Sequence, residues 1–222
     1  MNYKIKKILG KFKQIILKYN IIGNIRMKHE KEKARKKLKI NEELTILSVN
    51  CIAGEIYSIL GKKFCSPTIN TTFNRKDFLL FCKYLNEYLN AKLEFNCITK
   101  DEVIEMKLSP NGLNTIYIRF PHDNDIKKIT DNWEKRKKRI NYERMYLITD
   151  DIGMSEDEIK EFSKLNYKKI IIFTSKKYGI KNTFQLKKYK NKKSVGKYNV
   201  KNLNGLYSFQ KQWDFVSWIN EQ

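Results

Sequence analysis

Apolar residues in the first twenty positions fall at Ile5, Ile8, Leu9, Phe12, Ile15, Ile16 and Tyr19, with Lys4, Lys6, Lys7, Lys11, Lys13 and Lys18 between them. Spacing of three and four predicts an amphipathic helix with one apolar stripe and a basic opposite face. Gly23 is expected to break this helix, and residues 28–39 (KHEKEKARKKLK) to continue as a charge-rich helix or linker. From residue 40 the pattern alternates. The buried strand LTILSVN (residues 44–50) bends through Cys51 into helical spacing, and a helix over 75–89 puts Phe78, Phe81, Cys82, Leu85 and Leu89 on one face. Three strands follow over 93–99, 102–109 and 114–120, the last two separated by the turn Pro110-Asn111-Gly112. A helix over 126–139 leads to a strand at 144–149. Ser155 and Glu158 then form a capping box that opens another helix. The continuous apolar run of KKIIIFTS (168–175) predicts a central strand covered on both faces. Residues 187–201 carry seven Lys and no acid, a solvated loop or second anion contact, and a closing helix over 209–220 buries Trp213 and Trp218 or their neighbours.

Strands alternating with helices predict an α/β fold: a three-layer α/β/α domain over residues 40–222 with a mixed, largely parallel sheet. The basic helical segment, residues 1–39, precedes it. That segment holds 14 Lys or Arg against two Glu, and so supplies +12 of the formal +22. Such charge attracts an anionic partner, either nucleic acid or an acidic membrane surface. The apolar stripe beside the lysines matches an interfacial helix lying on anionic lipid, or else packs on the chain's own domain. Nucleic acid is disfavoured because no helix-turn-helix, RNA-recognition or zinc-finger pattern is present. Apolar runs are far too short to span a bilayer, no secretory h-region is found, and the four cysteines show no C-x-x-C spacing. The expected location is cytoplasmic, peripheral on the inner face of the membrane.

Candidate chemistry gathers at predicted strand ends, where α/β sheets bind ligands. A helix starting just after Cys51 would aim its dipole and N–H groups at the sulfur, lowering the thiol pKa, with Asn50 and Gly54 offering donors. The other reading is a buried structural cysteine. His122, after the strand at 114–120, is either a candidate base for a Cys-His pair or merely a surface loop residue. Asp123 and Asp125 form a D-x-D that either holds a divalent metal on a nucleotide diphosphate or caps the helix at Ile126. Asp150 ends another strand. Arg136 and Arg139, at i and i+3, either bind a phosphate or carboxylate or belong to a solvated helix face.

The ordered set NCIAGEIYSILG, SPTIN, DFLLF, PNGL, W..R..RIN, DDIG, FT and DFVSWIN, over residues 44–220, resembles the bacterial domain-of-unknown-function family nineteen-nineteen. Its members are commonly labelled exopolysaccharide biosynthesis proteins. The family's Asn-Asn-Cys-Trp-Gly-Gly motif is matched at Asn50, Cys51 and Gly54, with Val49, Ile52 and Ala53 departing. Its Ser-Pro is matched at Ser66-Pro67, its Arg-x-x-Arg-Ile-Asn at Arg136, Arg139, Ile140 and Asn141, and its histidine at His122. The resemblance implies a transferase of surface-polysaccharide assembly. The expected partners are an activated sugar or acyl donor and a glycan acceptor, and no cofactor is assigned. Acyl transfer through Cys51 and His122 is the first expectation and sugar transfer from a nucleotide donor the second. The remaining alternatives are a non-enzymatic scaffold or a nucleic-acid-binding protein. The expected substrate contacts are Asn50, Gly54, Ser66, Arg136, Arg139, Asn141 and Asp150.

Overall fold

The computed structural model describes residues 20–221, so the stripe from Ile5 to Tyr19 lies outside the described residues. The chain divides into two compact units. One takes the chain up to Asn41, Ile59–Gly61 and everything from Lys197, and the other takes Glu42–Ser58 and Lys62–Gly196.

In the first unit, helix α1 (Ile21–Lys37) starts at the N-cap Asn20, whose side chain accepts from Gly23 N at 2.8 Å. Gly23 therefore sits in the first turn of α1, and the helix it was expected to end lies outside the described residues. The role of Gly23 is close approach: a Cβ on Gly205, where φ is +86°, would lie 2.0 Å from the Gly23 carbonyl oxygen. Arg35, Lys36 and Lys37 occupy the last turn, where the helix dipole favours cations. Asn220 ties the tail to this end, donating to Lys37 O at 2.8 Å and accepting from Lys39 N at 2.9 Å, and Lys37 pairs with Asp214. The closing helix is a 3₁₀ turn, Phe209–Lys211, followed by a separate short α-helix, Phe215–Asn220. Trp213 is buried and Trp218 half-buried, with ring centroids 5.2 Å apart.

The second unit holds two sheets where one was expected. Strands β1 (Thr45–Ser48), β6 (Met145–Asp150), β7 (Lys169–Thr174) and β8 (Thr183–Gln185) form a parallel sheet in that order. Strands β2 (Thr72–Phe73), β5 (Ile116–Phe120), β4 (Ile104–Leu108) and β3 (Glu94–Ile98) form a separate antiparallel sheet. Short reversals force this outcome: the turns at Glu102 (φ 61°) and Gly112 (φ 76°) leave β3, β4 and β5 no room for the crossover that parallel pairing needs. Along β1, β6 and β7 the residues Leu47, Leu147, Ile170 and Ile172 join the main core, while the alternating Ile46, Ile148, Ile171 and Phe173 are buried outside that cluster. The parallel sheet is thus covered on both faces, as the apolar run of β7 predicts. Met106, Leu108 and Ile118 of the antiparallel sheet enter the same core.

Helix α2 (Ile52–Leu60) follows β1. The Tyr57 hydroxyl accepts from Ile46 N at 3.0 Å and donates to Leu44 O at 2.7 Å. The expected helix over 75–89 is interrupted at Tyr84 into α3 (Arg75–Lys83) and α4 (Leu85–Asn90), which still bury Phe78, Phe81, Cys82, Leu85 and Leu89. Helix α5 (Ile126–Lys137) buries Ile129 and Trp133. Helix α6 (Glu156–Ser163) has the full capping box, with Ser155 N donating to Glu158 at 2.7 Å and Glu158 N donating to Ser155 at 3.2 Å. In the lysine-rich stretch Tyr189 is buried, with Lys188 and Lys192 over its ring.

Candidate functional site

The bend after β1 is built by side chains that spend the leading N–H groups of α2. Asn50 Oδ1 accepts from Ile52 N at 3.0 Å. Ser48 Oγ accepts from Ala53 N at 3.3 Å and donates to Asn50 O at 2.5 Å. Cys51 is half-buried and its thiol faces Thr71 O at 3.8 Å. Burial, then the nearby Glu55 carboxylate, pushes this thiol from an ordinary 9.0 up to about 11, although Thr72 works the other way. The expected lowering by the helix N-terminus is thereby reversed: removing the thiolate from water outweighs a dipole whose first donors are already occupied. A Cβ at Gly54 would meet Asn70 Oδ1 and Ile69 Cγ2 at 3.5 Å, ordinary contact, so space alone does not require glycine there.

The loop opposite the bend is held from inside. Ser66 is fully buried, and its hydroxyl lies 3.1 Å from that of Thr68, which accepts from Ser48 N at 3.0 Å. Asn70 takes a left-handed conformation (φ 62°). Onto this loop come two guanidinium groups. Arg136 Nη1 donates to Ile69 O at 3.0 Å with its guanidinium carbon 5.7 Å from the Phe64 ring centroid, and Arg139 Nη1 donates to Phe64 O at 3.4 Å. Only Arg136 lies within α5; Arg139 follows its end, with Arg139 N bonded to Arg136 O at 3.1 Å. Both are half-buried, and among the described residues neither has a carboxylate at ion-pair distance. Burial holds Arg136 below its ordinary value; Asp123 opposes this and the like charge of Arg139 adds to it. Two half-buried guanidiniums without a carboxylate at ion-pair distance among the described residues are the groups whose chemistry suits an anion with several oxygens.

Of the sequence-derived candidates, the structure brings Cys51, Gly54, Arg136 and Arg139 together around residues 64–71, with Asn50 and Ser66 shaping the walls. His122 is exposed in the turn after β5 and makes no hydrogen bond to Cys51, so the Cys-His pair is not formed in this structure. Asp125 caps α5 by accepting from Lys128 N at 3.2 Å, and Asp123 pairs with Lys128 Nζ at 3.2 Å, which gives both carboxylates local roles. Among the described residues no group of three or more His, Cys, Asp or Glu is arranged to hold a metal ion. Asn141 is spent on the chain itself: its N–H donates to Thr45 Oγ1 at 2.8 Å, and its side chain donates to Glu43 O and caps the turn at Tyr142–Arg144. Asp150, fully buried, is gripped by Arg75 through two bonds of 2.7 Å.

Arg75 had a readable signal. A cation in the first turn of a helix opposes the dipole and so implies a partner. Asp151, which accepts from Ser175 N, Ser175 Oγ and Val195 N, had none beyond its place at a strand end.

The sequence matches the model of the family described as Domain of unknown function (DUF1919) over residues 21–220, which takes in α1 as well as both sheets. A Haemophilus influenzae chain named "Uncharacterized protein" is 29% identical over 184 residues, covering 81% of this chain and 85% of that relative. The family match runs through nearly all the described residues and includes the Asn50–Cys51 bend and the Arg136–Arg139 pair, so the chain belongs to the DUF1919 family.

Proposed function

We propose that the protein is a transferase of surface-glycan assembly that takes a phosphorylated sugar donor, with Arg136 and Arg139 receiving the phosphate. The observation that carries this reading is the pair of half-buried guanidiniums lacking carboxylate partners among the described residues. The family resemblance supplies the glycan. Sugar transfer moves ahead of acyl transfer because burial raises the Cys51 thiol to about 11, the opposite of the lowering that activates a thiol nucleophile. The basic segment, residues 1–39, would keep the protein at the inner face of the membrane. No helix among the described residues is long and apolar enough to cross it, and Ile21, Ile22 and Ile25 are exposed at the start of α1.

Calorimetry with inorganic pyrophosphate, UDP, UDP-glucose and UDP-N-acetylglucosamine tests the reading, with release of UDP as the turnover signal. Arg136→Gln and Arg139→Gln should each weaken binding by roughly 10- to 100-fold, corresponding to about 1.5–3 kcal/mol for a charge-assisted hydrogen bond. Absence of binding by every phosphorylated probe, or unchanged binding in both variants, would overturn it.

A further inference from the structure

A second recess lies where the start of α3 meets the solvent face of the antiparallel sheet. It is a groove of ≈ 560 Å³ that Thr72, Arg75, Asp77, Asn96, Glu105, Tyr117 and Arg119 line. Residue alternation explains its polarity. In β5 Ile116, Ile118 and Phe120 point into the core, so Tyr117 and Arg119 face out, with Arg119 opposite both Thr72 and Glu105 in register. The bulge between Phe95 and Cys97 brings Asn96 toward the same face, where it donates to Glu105 Oε1 at 2.9 Å.

The two guanidiniums here differ from the Arg136 pair in being neutralised. Arg119 Nε is 2.8 Å from Glu105 Oε2, and Arg75 is held by Asp150. The third carboxylate, Asp77, accepts from Tyr117 N at 3.0 Å. Burial pushes its carboxyl up despite that bond, and Glu105 adds to the effect. The groove therefore offers no net positive field to an anion, and its two arginines disfavour a cation.

What it does offer is hydrogen bonding in both senses around an aromatic face. Among the described residues the Tyr117 ring and hydroxyl, the terminal nitrogens of Arg119, Asn96 Oδ1 and Asp77 Oδ1 have no hydrogen-bond or ring partner. The Tyr117 side chain is presented to solvent, with the residue 41% exposed. Charged side chains fixed by their own ion pairs bind neighbouring hydroxyls without an ordering cost, and an aromatic face covers the C–H surface of a sugar ring.

We infer that this groove is a binding site for a neutral saccharide, stacked on Tyr117 and hydrogen-bonded by Asn96, Asp77 and Arg119. The identification of that saccharide as the acceptor rests on the transferase reading; the binding itself does not. β2 connects the two recesses, since Thr71 O faces the Cys51 thiol and the next residue, Thr72, lines the groove.

The test is a glycan microarray of neutral and acidic bacterial oligosaccharides probed with the full chain, followed by calorimetry on the best binder. Neutral glycans should bind, and Tyr117→Ala should weaken binding at least tenfold. Tyr117→Phe should stay within about threefold and Arg136→Gln unchanged. Thermal melts of each variant should match wild type, which separates loss of binding from loss of fold. Lack of binding to any neutral glycan, preference for acidic glycans, or Tyr117→Ala binding as wild type would each overturn the inference. Loss of UDP binding in the Arg136 variant with saccharide binding retained separates the two sites, so failure at one is not failure at the other.

Discussion

Cys51 should be a slow thiol. With its pKa at about 11 against an ordinary 9.0, the thiolate fraction at pH 8 falls from about one in ten to about one in a thousand, so alkylation should be roughly 100-fold slower than for a free thiol. Partial burial slows it further. The perturbation is a pulse of iodoacetamide at each of several pH values, and mass spectrometry reads each cysteine in the same sample. Half-buried Cys97 serves as the accessible reference and Cys82, whose thiol burial pushes well above its ordinary value, as the slow one. Glu55→Gln should speed the reaction of Cys51, by less than the full 100-fold because burial contributes more than Glu55 does. Stability follows the same sign. A folded pKa above the unfolded one means that the contribution is fully present below pH 9 and is lost as the pH rises through about 11. Tyr57 and Tyr167, also raised by burial, shift in the same direction. Labelling of Cys51 at pH 7 as fast as Cys97 would refute the reasoning and restore a nucleophilic role.

Two further outcomes concern the scaffold. Arg75→Met removes the guanidinium that pairs with the fully buried Asp150 carboxylate. It should cost about 3–5 kcal/mol, or a fall of about 6–20 °C in melting temperature for a chain of this size; a loss below 1 kcal/mol in urea denaturation would show the pair to be dispensable. Gly205→Ala would place a methyl 2.0 Å from the Gly23 carbonyl at a positive φ, so a loss of more than about 2 kcal/mol is expected, whereas circular dichroism melts matching wild type would contradict the close approach.

Local rules were enough to read much of this chain. The Ser155–Glu158 box, the cap at Asp125 and the strands β1, β4, β5, β6 and β7 depend on neighbours a few residues away, and those neighbours are written next to one another. The Arg136–Arg139 pair was visible for the same reason. Partition of the strands into two sheets was not, because which strand pairs with which is settled between distant segments: Thr45 of β1 lies beside Met145 of β6, and Thr72 of β2 beside Arg119 of β5. The close approach that needs Gly23 was not legible, because its partner Gly205 lies 182 positions away. The thiol at the bend shows the division most plainly. A helix start beside Cys51 is a local feature and argues for a reactive thiolate. Burial is a property of everything that folds over it, and in this protein burial sets the sign.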